Sequence, residues 1–232
     1  MAAIGDSTGI SDAVQDYAKA IYSLQERSDE PVSTSALAER LAVSPASASA
    51  MVKRLESLGL VSRRPYHGVE LTPAGQRVAL EVIRHHRLLE LYLAEALGMS
   101  WDRVHEEAEV LEHAISPELS ELIAAKLGNP THDPHGDPIP TADGSIHEHE
   151  LTPLPEVPTG EAAEVRRVFQ GDPERLRYLA ALGLRPGATI AIVERQPFDG
   201  PLTVQVGPDR HVLGHELARI ILCSRARERD QG

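Results

Sequence analysis

Between Gly128 and Gly160 prolines and glycines crowd the chain and helical periodicity fades, so the 232 residues cannot fold around one continuous core. Ahead of that stretch, apolar residues recur at helical spacing. Behind it, short alternating runs are separated by Gly and Pro turns, the pattern of strands. The expected fold is therefore mainly α with a small β part. Its domains are 1–75, 76–140 and 161–232, with a flexible linker over 141–160. Aromatic residues make up only 3% of the chain, so the cores must be built from Leu, Val, Ile and Ala.

After a polar start expected to be disordered, Asp12 to Gln25 has the apolar spacing of an amphipathic helix. A short helix follows over Ser33 to Leu41. Val43-Ser44-Pro45 then supplies a turn, an N-cap and a proline at the first position of a helix running from Pro45 to about Leu58, which Gly59 ends. With Leu60-Val61 and a hairpin turning at Tyr66 to Gly68, this is the order of a winged helix-turn-helix. Its second helix would face DNA with Ser44, Ala46, Ser47, Ser49 and Ala50, small residues suited to modest base readout. Thr34 and Ser35 at the preceding helix, with Lys53, Arg54, Arg63 and Arg64, would hold phosphates. A net charge of −12 excludes binding DNA by bulk electrostatics, but residues 44–87 carry seven basic side chains against three acidic ones.

Thr72-Pro73-Ala74-Gly75 opens a long helix to about Gly98, on which His86 and Glu90 stand at i, i+4. Trp101 to about Ala114 is expected to be one helix, placing His105, Glu109, Glu112 and His113 on a single stripe. Two imidazoles and two carboxylates without a thiolate suit a divalent first-row ion, toward the harder end such as Mn(II) or Fe(II). The other reading of that stripe alone is a solvated acidic face. Pro117 to Leu127 carries Leu119, Leu122, Ile123 and Leu127 as an apolar stripe, either core or dimer seam. The linker histidines His132, His135, His147 and His149 are expected to be solvent-exposed. Cys223 is read as a small buried residue.

Residues 161–223 show a strand at Val165 to Phe169, a helix at Pro173 to Leu182, and strands at Thr189 to Arg195, Leu202 to Val206, His211 to Leu213 and Ile220 to Cys223, the makings of an SH3-like barrel. No apolar run approaches a membrane span and no signal pattern opens the chain, so the cytoplasm is the expected location.

Taken in this order, the winged helix, His86 with Glu90, and Glu109-x-x-Glu112-His113 resemble the diphtheria toxin repressor family of metal-dependent transcriptional regulators in its three-domain form. Asp16-Tyr17, Ala38-Glu39-Arg40-Leu41, Leu71-Thr72-Pro73-Ala74-Gly75, Asp133-Pro134-His135-Gly136-Asp137-Pro138-Ile139-Pro140 and Leu182-Gly183-Leu184-Arg185-Pro186-Gly187 extend the resemblance over nearly the whole chain. It implies a homodimer, not an enzyme, that takes a divalent ion as corepressor and binds palindromic operators of metal-homeostasis genes. Two metal sites per subunit are implied: Asp16, Glu109, Glu112 and His113 as effector ligands, and His86, Glu90 and His105 with Asp172 as ancillary ones. Arg175 cannot ligate where the family has a second barrel ligand, and Glu174 is its substitute. Carboxylates at Asp16 and Glu109 match the manganese-responsive branch, so Mn(II) is favoured with Fe(II) as the alternative. Lys19 replaces a carboxylate that short manganese regulators carry, which argues against their binuclear arrangement. The rival from another class is a carboxylate-bridged di-metal oxidase. It would need a Glu-x-x-His pair on each of two helices and would leave the winged helix unexplained.

Overall fold

The computed structural model describes residues 10–26, 30–64, 68–146, 150–169 and 172–225. The chain divides into two compact units, the first made of residues 1–85, 112–114 and 140–145, the second of 86–111, 115–139 and 146–232. Among the described residues no helix is long and apolar enough to cross a membrane. The polar start at 1–9, the wing tip at 65–67 and His147 and His149 lie outside the described residues.

In the first unit, α1 (Asp12–Gln25), α2 (Thr34–Arg40) and α3 (Pro45–Ser57) pack around Ile21, Leu37, Val52 and Leu55. The hairpin β1 (Val61–Arg64) and β2 (Gly68–Leu71) pairs antiparallel, with Val61 opposite Leu71. The helix starts follow the sequence signals. Ser33 Oγ accepts from Ala36 N and Ser44 Oγ from Ser47 N, both at 3.1 Å. Thr72 caps α4 (Pro73–Leu97) by accepting from Gly75 N, while its own hydroxyl donates to Gly59 O at 2.7 Å. Gly75 sits against the Leu60 carbonyl with no room for a Cβ, which explains the Thr-Pro-Ala-Gly run as a cap plus a close approach.

The second unit takes up α4 from His86 onward, with α5 (Val104–Leu111) and α6 (Pro117–Lys126) packed about Leu88, Ala108, Ile123 and Ile139. The expected helix over Trp101 to Ala114 is shorter at both ends: Trp101 to Arg103 and Glu112 to Ala114 are turns. Pro117, held at the first position of α6 by the Ser116 cap, disfavours helix at Ser116 and so separates α5 from α6. On α6, Ile123 is buried while Leu119 and Leu122 remain exposed.

The barrel is a six-stranded antiparallel sheet ordered β3-β8-β4-β5-β6-β7, built from β3 (Thr152–Pro153), β4 (Ala162–Val168), β5 (Thr189–Arg195), β6 (Leu202–Val206), β7 (Asp209–Leu213) and β8 (Ile221–Arg225). Helix α7 (Pro173–Ala181) and the short α8 (His215–Ala218) complete it, and Cys223 is buried in its core as expected. The expected linker over 141–160 is shorter. β3 pairs with β8, and Leu154, in a 3-10 turn after it, is fully buried in the barrel core. Leu154 and Val157, both buried in the barrel core, draw this proline-rich segment onto the sheet.

Candidate metal centres and nucleic-acid interface

Ending α5 at Leu111 splits the expected stripe in two. Glu112 and His113 fall in the turn after the helix and belong to the first unit, where α1 presents Asp16. His113 Nε2 lies 2.8 Å from Asp16 Oδ1 and 3.5 Å from Glu112 Oε1, and its Nδ1 is 2.6 Å from Gln15 Oε1. Both ring nitrogens thus face oxygen acceptors. At Nε2 the space between imidazole and carboxylate must hold either a proton or a cation. Burial pushes the Asp16 carboxyl above its usual range, partly offset by the neighbouring His113. Ligand atoms of Asp16, Glu112 and His113 lie within 4.8 Å of one another. Behind them His85 Nδ1 is 3.3 Å from the Glu112 carbonyl, and burial lowers its pKa.

The second cluster surrounds Glu90, which is fully buried. Its Oε1 is 3.0 Å from His86 Nε2 and 3.0 Å from His105 Nδ1, and those two nitrogens are themselves 3.0 Å apart. Three oxygen and nitrogen donors this close together could hold one small divalent ion. Glu109 stands on this side, its carboxylate 3.8 Å from His105 Nε2, grouped with His86 and His105 rather than with His113. Burial alone would raise the Glu90 pKa, but His86, His105 and His135 outweigh it and hold the carboxyl well below its ordinary range.

His135 is not solvent-exposed. It is wholly buried, stacked on Trp101 with ring centroids 5.3 Å apart, its Nε2–H donating to the Trp101 carbonyl at 2.7 Å. Its Nδ1 lies 3.7 Å from Glu90 Oε2, and together with Asp133 these residues form a third, fully buried group of metal-competent donors. Asp133 Oδ1 accepts from the backbone N–H of His135 and of Asp137, while Oδ2 has no partner within hydrogen-bond geometry among the described residues. Burial pushes the Asp133 carboxyl well up, and the negative Asp137 and Glu90 push it further. Sequence reasoning missed Asp133 and His135 as site residues because their proline-rich surroundings read as linker. The signal available was the Asp-x-His spacing itself. His132, also expected to be exposed, is half-buried, with Thr131 Oγ1 2.9 Å from its Nδ1.

Asp172, expected as an ancillary ligand, stands at the start of α7. Its Oδ1 caps α7 by accepting from Glu174 N at 2.8 Å, and its Oδ2 lies 3.6 Å from Arg175 Nε. Among the described residues it joins no metal-competent group, and Glu174 is exposed. An Asp before Pro at a helix start is more readily spent on the cap.

The DNA-facing residues expected from sequence are mostly open to solvent. Ser35, Ser44, Ala46, Ser47, Ser49, Ala50, Lys53, Arg54 and Arg63 are all exposed, Thr34 is half-buried, and Arg64 closes β1. Ser44 and Ser47 engage each other, 2.8 Å between hydroxyls, so α3 offers Ala46, Ser49 and Ala50 more freely than either.

Residues 10–69 match the family model "Iron dependent repressor, N-terminal DNA binding domain", residues 72–141 "Iron dependent repressor, metal binding and dimerisation domain", and residues 152–225 "FeoA domain". The chain is 33% identical over 222 residues to the iron-dependent repressor IdeR of Mycobacterium tuberculosis, covering 90% of this chain and 96% of that protein. It is 30% identical over 203 residues to the diphtheria toxin repressor of Corynebacterium diphtheriae, covering 83% and 88% of the two. A solved manganese-dependent transcriptional repressor in complex with manganese superposes with a TM-score of 0.85 at 41% identity, covering 92% of this chain and 100% of that one. The manganese regulator SloR does so at 0.73 and 33%, covering 92% and 98%. A DNA-binding head, divalent-metal donor sets and an SH3-like third domain thus agree with the comparisons. The chain belongs to the diphtheria toxin repressor family of metal-dependent, DNA-binding transcriptional repressors.

Proposed function

We propose that the protein is a homodimeric repressor for which Mn(II) is the preferred corepressor, with two metal centres per subunit. The observation that carries this is the donor chemistry. Asp16, Glu112 and His113 form one centre; the groups of His86, His105 and Glu109 and of Glu90, Asp133 and His135, joined where Glu90 Oε1 meets His86 and His105, form the other, all oxygen and imidazole nitrogen. Without thiolate or thioether ligands the preference shifts toward Mn(II) relative to softer competitors. Both the relative solved with manganese and the manganese regulator SloR support that branch, while iron-dependent relatives keep Fe(II) as the alternative. A bound ion supplies positive charge shared by α1 and the turn after α5, tying the DNA-binding head to Glu112 and His113. Exposed Leu119 and Leu122 on α6, in the segment matched by the dimerisation model, supply an apolar face for a second copy.

The test is binding to a palindromic DNA selected by the protein from a random pool in mixed divalent ions, titrated separately with Mn(II), Fe(II), Co(II) and Zn(II) at fixed salt. Binding that requires metal, with Mn(II) activating at least as fully as Fe(II), is expected. Activation by Fe(II) or Co(II) alone would overturn the manganese assignment, and equal binding after thorough chelation would overturn metal control.

The second centre makes its own prediction. Asp133→Asn keeps the acceptor used by His135 N and Asp137 N and replaces a disfavoured negative oxygen beside Glu90 with a neutral amide that can donate to Glu90. Because the Asp133 charge is disfavoured where it stands, the metal-free protein at neutral pH should gain about 1 kcal/mol, a few degrees in thermal midpoint. Mn(II) uptake at this centre should weaken. A lowered metal-free midpoint would show that Asp133 is a structural anion instead.

A further inference from the structure

Lys19 stands one turn after Asp16 on α1, and its ammonium reaches into the first centre. Nζ lies 2.9 Å from Glu112 Oε1 and 2.8 Å from Oε2, so one cation spans both oxygens of a carboxylate whose side chain is wholly buried. A divalent ion held by Asp16, Glu112 and His113 would have to share this carboxylate with the ammonium. Lys19 is itself only 16% exposed, so the pair is poorly screened by solvent. A divalent ion held by Asp16 and His113 and a lysine ammonium cannot both be close to Glu112 without strong like-charge repulsion in so dry a setting.

We propose that Lys19 is an internal competitor for the metal. Its ammonium neutralises Glu112 in the metal-free protein and must be displaced before the first centre closes, which sets the ion concentration at which the repressor responds. This rests on the reading of Asp16, Glu112 and His113 as metal ligands. Two features follow from the geometry. The metal-free protein avoids a buried unpaired carboxylate, which would otherwise loosen the turn after α5. And the ion gains less from Glu112 than it would from a carboxylate with no prior cation, so occupancy begins at higher metal concentration. The four-carbon stem of Lys19 lets the ammonium withdraw toward solvent without moving α1.

The experiment uses the full-length protein and its Lys19→Met, Lys19→Gln, Lys19→Arg and His113→Ala variants. Mn(II) affinity is measured by competition with a chromophoric chelator, and thermal midpoints are measured without metal. The affinity lost in His113→Ala defines the first centre. At that centre Lys19→Met should bind Mn(II) roughly ten-fold or more tighter than the native protein, with Lys19→Gln shifted the same way and Lys19→Arg within about three-fold. The metal-free midpoint of Lys19→Met should fall, so that the midpoint rise on adding Mn(II) grows. Unchanged or weaker Mn(II) affinity in both neutral variants, while His113→Ala loses binding, overturns the competitor role and leaves the centre standing. Native affinity in His113→Ala overturns the centre and the competitor role together.

Discussion

Replacing His113 with alanine is expected to abolish most metal activation: operator affinity in Mn(II) should fall on the order of 100-fold, close to the metal-free level. His113 is the one nitrogen donor of the first centre, 2.8 Å from Asp16 Oδ1 and 3.5 Å from Glu112 Oε1. With the Lys19–Glu112 pair, it is also one of the links that join α1 to the turn after α5 in the metal-free state. Alanine removes the ligand and leaves two carboxylates without the imidazole between them. Gln15 Oε1, which fixes the ring through Nδ1, loses its partner at the same time. The loss should appear as a failure of Mn(II) to raise affinity, while binding measured under chelation changes little, since no DNA-facing side chain is touched. Full Mn(II) activation in this variant would remove the first centre from the mechanism.

The DNA-binding head was legible because its signals are local. Ser44-Pro45, Thr72-Pro73 and Ser116-Pro117 each join a hydroxyl cap to a proline at the first helical position, and all three helices start there. The end of α5 carried no such mark. From Val104 to Ala114 there is neither Gly nor Pro, so periodicity extended the helix through Glu112 and His113 and drew one stripe where the structure makes two clusters. Which residues of a ligand-rich run face which partner is decided by tertiary contacts. The same holds for His135, which a linker composition marked as exposed. Trp101 stacking, a carbonyl acceptor and the Glu90 carboxylate bury it, and all three come from distant residues. Lys19 was visible as a departure from the family's pattern, but its bidentate grip on Glu112, 93 residues on, was not. The positions of β4 to β8 along the chain were legible from turns, whereas the capture of Leu154 by the barrel core was not, because a lone Leu between prolines has no periodicity to read.

The largest stability effect is expected from Gly136→Ala. Gly136 has φ +88°, and a Cβ there would overlap the carbonyl oxygen of Arg166. Arg166 is the bulge residue of β4, where register with β8 shifts between Val165 and Arg167, so its carbonyl turns toward the loop instead of the neighbouring strand. The contact is backbone on backbone and cannot be relieved by a rotamer change. The loop is held on both sides of the glycine: Val168 N donates to the His135 carbonyl at 2.8 Å, and Asp137 pairs with Arg167 and faces Arg87 at 3.9 Å. Moving Gly136 away from β4 therefore breaks buried ion pairs or pulls His135 off Glu90. We expect a cost of about 3–5 kcal/mol, roughly 10 °C in thermal midpoint, with weakened metal binding at the second centre. Gly160→Ala separates the two causes, since Gly160 has the same φ of +88° but nothing within 4 Å of the added Cβ. It should cost only about 1 kcal/mol, the strain of the backbone alone. Equal losses in the two variants would mean that left-handed strain, and not the approach of the loop to β4, is what makes Gly136 necessary.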